Sequence, residues 1–394
     1  MNKVHKRTRL IGGVLAASMF TLVAVAPSAS AAPPQKAAVS TGSASFAITR
    51  EDSMSIDYTE AITPPGRIPL TGDFVGDNTD TGNLDDIFWY TPGAGGDSIW
   101  RTNGDRSWTA TSTSVTGSFT PIVGQFTNDG KADIFWYAPG PAVDSLWDFN
   151  ANGSITKIDG AAVNGTYTPI VGYFSEDSSQ DIIWYSPGRG RDIWWDFDGA
   201  TGERTSRDLS INGTYTPVVG SFAGIGSPTF DYAQDILWYA PGSTADSLWD
   251  FNGNGGTVTK SPLSINGTYT PVAGDFSHDG FNDVIWYAPG TASDSMWDFD
   301  NATGAHSTIP LTINGSYTPI ARGELFEQSA HQTDILWFGA GNRADAIWDF
   351  DYGTGHTSPP VTLFGNRTPV LGVFELTETD CCTLQGLDII DRTL

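Results

Sequence analysis

The chain has 394 residues, 45 of them acidic and 20 basic, for a formal net charge of −25. That balance repels phosphate backbones and anionic lipid surfaces, which excludes nucleic-acid binding and electrostatic adhesion to acidic membranes. The only cysteines, Cys381 and Cys382, are adjacent, so there is no disulfide framework and packing must hold the fold.

Residues 1–32 read as a secretory signal peptide. Lys3, Lys6, Arg7 and Arg9 form a basic head, an apolar run spans Leu10 to Ala26, and Ala29-Ser30-Ala31 fits a processing site. Thr8 separates Arg7 from Arg9, so general secretion is expected, and with it an extracellular location. Residues 33–42, rich in Pro, Ala, Ser and Gly, read as a flexible tether. No second long apolar stretch follows, so no membrane span is expected after processing.

From residue 43 to 394 one unit recurs. It reads Tyr-Thr-Pro-Val-Val-Gly-x-Phe, a loop, Asp-Ile-Leu-Trp-Tyr-Ala-Pro-Gly, a turn, then Asp-Ser-Leu-Trp-Asp-Phe and a polar tail. Trp89, Trp136, Trp184, Trp238, Trp286 and Trp337 are each followed 11 residues later by a second tryptophan, from Trp100 to Trp348. Only Trp108 and Trp194 fall outside this pattern. Each unit supplies four short strands punctuated by Pro-Gly and Asn-Gly turns, with no helical period. Pairing about the Pro-Gly turn is expected to set Trp238 opposite Trp249 and Tyr239 opposite Leu248. Ile236, Trp238, Trp249 and Phe251 would share one face, and Leu237, Tyr239 and Leu248 the other. Both faces are apolar, as a blade sandwiched between neighbours requires.

The expected fold is therefore an all-β, seven-bladed β-propeller of four-stranded blades. Six units are complete. A C-terminal fragment, Thr368–Phe374 and Asp388–Asp391, lacks its later strands, and an N-terminal fragment near Ser43–Ile62 is expected to supply them. The N- and C-terminal strands would then share one blade and remove the open sheet edges.

The segment Gly274-Asp275-Phe276-Ser277-His278-Asp279-Gly280-Phe281-Asn282-Asp283-Val284-Ile285-Trp286 resembles the FG-GAP/VCBS repeat of integrin-alpha-like propellers, over residues 66 to 391. The resemblance implies that loops between first and second strands bind calcium, which needs closely spaced hard oxygens and a glycine at the sharp turn. Carried over, the best loop offers Asp275, Ser277, Asp279 and Asp283. The second repeat offers Asp129 and Asp133, without the first carboxylate, and the first repeat offers Asp73 and Asp77 before an insertion. The alternative is that these aspartates only make turn hydrogen bonds. The aspartate opening each third strand, such as Asp246, reads as a structural turn residue.

No histidine has metal-ligand spacing, and no nucleophile elbow, phosphate loop or dinucleotide fingerprint occurs. Function should sit where one blade departs from the others: Trp108 and Trp194 as contacts for a ligand, and Glu324, Glu327 and His331 in the sixth unit. The Asn-Gly-Thr/Ser sequences at Asn164, Asn212, Asn266 and Asn314 read as turns between blades. The favoured function is a secreted, monomeric, non-catalytic binding module for an extracellular glycan, cell-wall polymer or surface protein, with calcium as a cofactor. The alternative is a polysaccharide-degrading hydrolase or lyase on the same scaffold.

Overall fold

The computed structural model describes residues 48–49, 55–56, 58–61, 66–76, 84–93, 95–103, 108–150, 152–160, 162–175, 177–199, 201–224, 233–242, 245–251, 257–300, 304–322, 333–339, 343–350, 354–358, 360–361, 367–379 and 382–393. They form an all-β propeller with six four-stranded blades. Blade 1 runs from Ile68 to Thr113, blade 2 from Thr120 to Asp159, blade 3 from Thr168 to Leu209, blade 4 from Thr216 to Leu263, blade 5 from Thr270 to Leu311 and blade 6 from Thr318 to Val361. In blade 4 the strands are Thr216–Gly220, Asp235–Tyr239, Asp246–Phe251 and Val258–Leu263, each antiparallel to the next. The first strands of successive blades are neighbours, so they form the inner wall. Each inner strand is a sheet edge, which is why Pro217 and its counterparts, lacking an N–H, are tolerated there.

The hairpin register differs from the sequence expectation. Trp238 lies opposite Ser247, Leu237 opposite Leu248 and Ile236 opposite Trp249. The turn is wider than a minimal hairpin because Asp246 Oδ1 accepts from Ala240 N at 2.8 Å and Gly242 bridges to Gly267 in the following linker. The slip is even in number, so every side chain keeps its expected face. Trp238 and Trp249 still meet diagonally, edge to face, at 5.4 Å. The Leu237, Tyr239 and Leu248 face of blade 4 packs on Val284, Trp286, Trp297 and Phe299 of blade 5, and the same contact recurs between other neighbours. The core is thus a series of aromatic wedges between blades.

The expected seventh four-stranded blade is not what the described residues form. Arg367–Thr379 and Cys382–Thr393 make a hairpin in which Gly372 pairs with Asp388, the register of the first two strands of any blade. The third strand of that sheet is N-terminal Tyr58–Ala61, and it runs parallel to its neighbour, with Ile389 opposite Tyr58. The place that an antiparallel third strand takes in the other blades is thus held by a strand from the N-terminal part of the chain. The termini therefore share a sheet of three strands. Val370 of this sheet packs on Ile87 and Trp89 of blade 1.

Strand directions divide the loops between two ends of the propeller. One end carries the turns between second and third strands and the Asn-Gly linkers between blades, and is called the turn face. The loop face carries the connections between first and second strands and between third and fourth. There a ladder joins the blades: Ala132 N donates to Asp73 O, Gln180 N to Gln125 O, Gln234 N to Tyr173 O, Asn282 N to Ser221 O and Thr333 N to Asp275 O.

Candidate functional site

On the loop face every described blade has a buried aspartate opening its second strand. Asp283 Oδ2 accepts from Phe276 N and Ser277 N, both at 2.9 Å, and Oδ1 accepts from Phe299 N at 3.1 Å. Asp133 repeats this with Phe126, Thr127 and Phe149. Burial, only partly offset by these amide bonds, pushes both carboxyls up to about 7, and nearby aspartates add to the shift. Both oxygens of Asp133 and Asp283 are thus committed to stitching the first loop to the end of the third strand.

The remaining expected calcium ligands are placed as follows. Asp275 is nearly buried and accepts from His278 N at 2.8 Å and Gly280 N at 3.0 Å, while burial pushes its pKa up to about 6. Asp279 is exposed and accepts from Phe281 N, an Asx turn, and the Ser277 hydroxyl is buried. His278 holds φ at +65°, an uncommon value for a non-glycine residue. Asp129 makes the corresponding turn with Lys131 N. The Lys131 ammonium lies 2.8 Å from both carboxylate oxygens of Asp73 on blade 1, so a side-chain cation occupies the position a metal would take. Asp77 lies outside the described residues. Among the described residues no three His, Cys, Asp or Glu side chains converge closely enough to hold a metal ion.

The aspartates opening the third strands are structural, as expected. Asp294, for instance, accepts from Ala288 N and Ile313 N.

The two unpatterned tryptophans part company. Trp194 is 1 % exposed and packs edge to face on Phe251 of blade 4 at 5.4 Å, so its ring faces no solvent. It occupies the place that Leu146 and Leu248 fill in other blades. Trp108 is half-buried and lies 6.4 Å from Trp100, which is also half-buried. In blades 2 to 6 the tryptophan equivalent to Trp100 is 4 to 9 % exposed. On the opposite face of these strands, the exposed Thr109 hydroxyl donates to Asn103 Oδ1 at 3.1 Å, and Arg101 is paired with Thr109. Glu324, Glu327 and His331 lie outside the described residues.

Sequence reasoning missed what covers the second tryptophans. Lys157 sits 3.9 Å from the Trp147 ring, Arg204 3.9 Å from Trp195 and Lys260 3.4 Å from Trp249. His306 and His356 stack at 3.8 Å on Trp297 and Trp348. The signal was a cation or histidine recurring in or just before the outer strand of blades 2 to 6, blurred because its offset from the tryptophan varies between blades.

No protein-family profile matches the chain, and no curated protein matches it. Among solved structures it is similar to the crystal structure of a triple arginine-to-alanine mutant of AofleA from Arthrobotrys oligospora, at 13 % identity and a TM-score of 0.42, over 74 % of this chain and 87 % of that one. A likeness at that score carries no argument about ligand or activity.

Proposed function

We propose that this chain is a secreted, non-catalytic propeller that binds a glycan of a cell surface or wall. The supporting observation is the half-buried Trp100 and Trp108 pair on blade 1, where a second indole stands in the place of the cation or histidine that covers the second tryptophan in blades 2 to 6. Two neighbouring half-buried indoles on one face of the outer strands offer a stacking platform of the kind a sugar ring uses. Titration of the full chain with soluble cell-wall oligosaccharides, followed by tryptophan fluorescence, tests the reading. Binding should be lost in Trp108→Ala and kept in Trp194→Phe. A blank glycan array with the unaltered chain would overturn it.

Two further readings belong with this one. The blades are of the FG-GAP/VCBS type, supported by the Gly-Asp-Phe loop and the Asp-Val-Ile-Trp strand of blade 5. The hairpin at Arg367–Thr393 with the N-terminal strands closes the ring as a seventh blade, supported by the blade register of Gly372 with Asp388. Calcium is proposed only for the loop at Asp275, because Lys131 serves Asp73, and Asp133 and Asp283 tie the first loop to the end of the third strand, whereas Asp275 accepts only from amides of its own turn. There Asp275, Asp279 and the Ser277 hydroxyl are the groups that could turn toward an ion, which would hold the turn together and neutralise its charge. Added calcium should raise the melting temperature of the full chain but not that of Asp279→Ala. An unchanged melt of the parent would remove calcium from the proposal.

A further inference from the structure

The geometry points to the turn face as a second binding surface, fitted to a carboxylate-bearing polysaccharide. It shares with the proposed function only the class of ligand, since Trp108 lies at the outer, loop-face end of blade 1.

Charge is distributed very unevenly between the two ends. The turns and linkers of the turn face contain the aspartates that open the third strands, all buried with both oxygens on backbone amides in blades 1 to 5, and at the margin Asp159 and Asp208. By register Asp391 and Glu60 of the terminal sheet stand at the same margin, and the turns and linkers of blades 1 to 6 hold no further acid, in a chain of net charge −25. They do hold arginines. Arg189 and Arg191 are exposed in the blade 3 turn, and Arg191 reaches marginal Asp208 at 2.6 Å. Arg343 is exposed in the blade 6 turn and donates to Ser316 O at 3.1 Å. Arg67 donates to the Ser98 hydroxyl at 3.2 Å. The loop face, by contrast, carries Asp129, Asp177, Asp198 and Asp279.

Shape and polarity agree with this assignment. Phe119, Tyr167, Tyr215, Tyr269 and Tyr317 each precede an inner strand, so five half-buried aromatic rings circle the turn-face end of the inner wall. Arg67 holds the same position in blade 1, and Arg367 holds it by register in the terminal sheet. The two large hydrophobic side chains most exposed among the described residues, Val143 at 72 % and Ile68 at 38 %, are both on this face. Gly, Ala and Pro fill most of the turns, and Ser, Thr and Asn are concentrated in the linkers. Aromatic edges, hydroxyls and guanidinium forks suit a sugar chain bearing carboxylates.

Affinity electrophoresis and calorimetric titration of the full chain against polygalacturonate, with dextran as the neutral polymer, test the assignment at low and high salt. Polygalacturonate should bind at low salt, weaken as salt rises, and bind at least ~10-fold more weakly to the Arg189→Glu, Arg343→Glu double variant. Arg67→Glu should weaken it independently, with thermal melts confirming that each variant is folded. Asp198→Asn on the loop face should leave affinity unchanged. No retardation by polygalacturonate, equal binding of dextran, or an unchanged affinity in both folded arginine variants would overturn the assignment. Retained polygalacturonate binding in Trp108→Ala keeps the two sites distinct, and loss of binding there would overturn the turn-face site.

Discussion

In blade 4 the Tyr239 hydroxyl donates to Gly267 O at 2.9 Å and accepts from Tyr269 N at 2.8 Å, so one side chain fastens the turn to the linker that starts the next blade. Tyr90, Tyr137, Tyr185 and Tyr287 do the same, whereas blade 6 has Phe338. Removing one such hydroxyl leaves a carbonyl and an amide short of a partner without opening a cavity. Tyr239→Phe should therefore cost about 1 to 2 kcal/mol in urea denaturation, and the chain should stay folded. Asp235 is the harsher case. It serves Phe222 N, Ala223 N and Phe251 N from a fully buried position, and Asp235→Ala strands all three amides and opens space. Its cost should exceed about 3 kcal/mol, enough to lower the yield of folded protein. The second tryptophans are energetically distinct again. Trp249 has Lys260 on one side and the edge of Trp238 nearby, so its π system is engaged by a cation and by a neighbouring indole.

At the scale of the strand, the linker glycines and the outer edges carry most of the specification. Gly267 has φ of +146°, and a Cβ there would come within 2.4 Å of the Tyr269 ring. Gly165, Gly213 and Gly315 repeat this arrangement, each bridged to the Pro-Gly glycine of its own blade. Gly267→Ala should lower the melting temperature markedly, while Gly280→Ala, with open space around its Cβ but φ of +91°, should cost only backbone strain. The outer strands carry Pro262, Pro310 and Pro360 or the basic residues Lys157, Arg204 and Lys260, which discourage edge-to-edge pairing. The blade faces and the structural aspartates were legible in the sequence because repetition marks constraint. The hairpin register was not, because Asp246 and the Gly242 bridge widen the turn through contacts distant in sequence. The fate of Trp194 was equally hidden. Its departure from the repeat looked like a surface feature, yet a wedge wide enough for leucine in one blade accommodates indole in another. The pairing of Asp73 was hidden for a related reason, since its partner Lys131 belongs to the next blade.

For the whole molecule, closure and burial of acid act on stability in different ways. Val370 seals Ile87 and Trp89, so removal of the chain from residue 367 onward should uncover the blade 1 wedge and lower the unfolding temperature of the entire ring. Acid burial gives a pH dependence with a definite sign. Burial raises Asp133 and Asp283 to about 7 and Asp181 to about 8, while an unfolded carboxyl titrates at roughly 4. The folded state therefore binds protons that the unfolded state has released between these limits. The stabilisation is fully present below roughly pH 4 and is lost as pH rises through 7 to 8. Acidification of the exposed loop-face carboxylates works in the same direction by relieving repulsion in a chain of net charge −25. Scanning calorimetry should thus show a higher melting temperature at pH 5.5 than at pH 8.5, the reverse of a protein stabilised by ionised carboxylates in salt bridges. Asp181→Asn, which keeps one carbonyl acceptor but cannot ionise, should melt lower at acidic pH and show a shallower slope toward alkaline pH. A melting temperature that rises from pH 5.5 to 8.5 would mean that the backbone amides outweigh burial, and that these aspartates sit in the fold as anions.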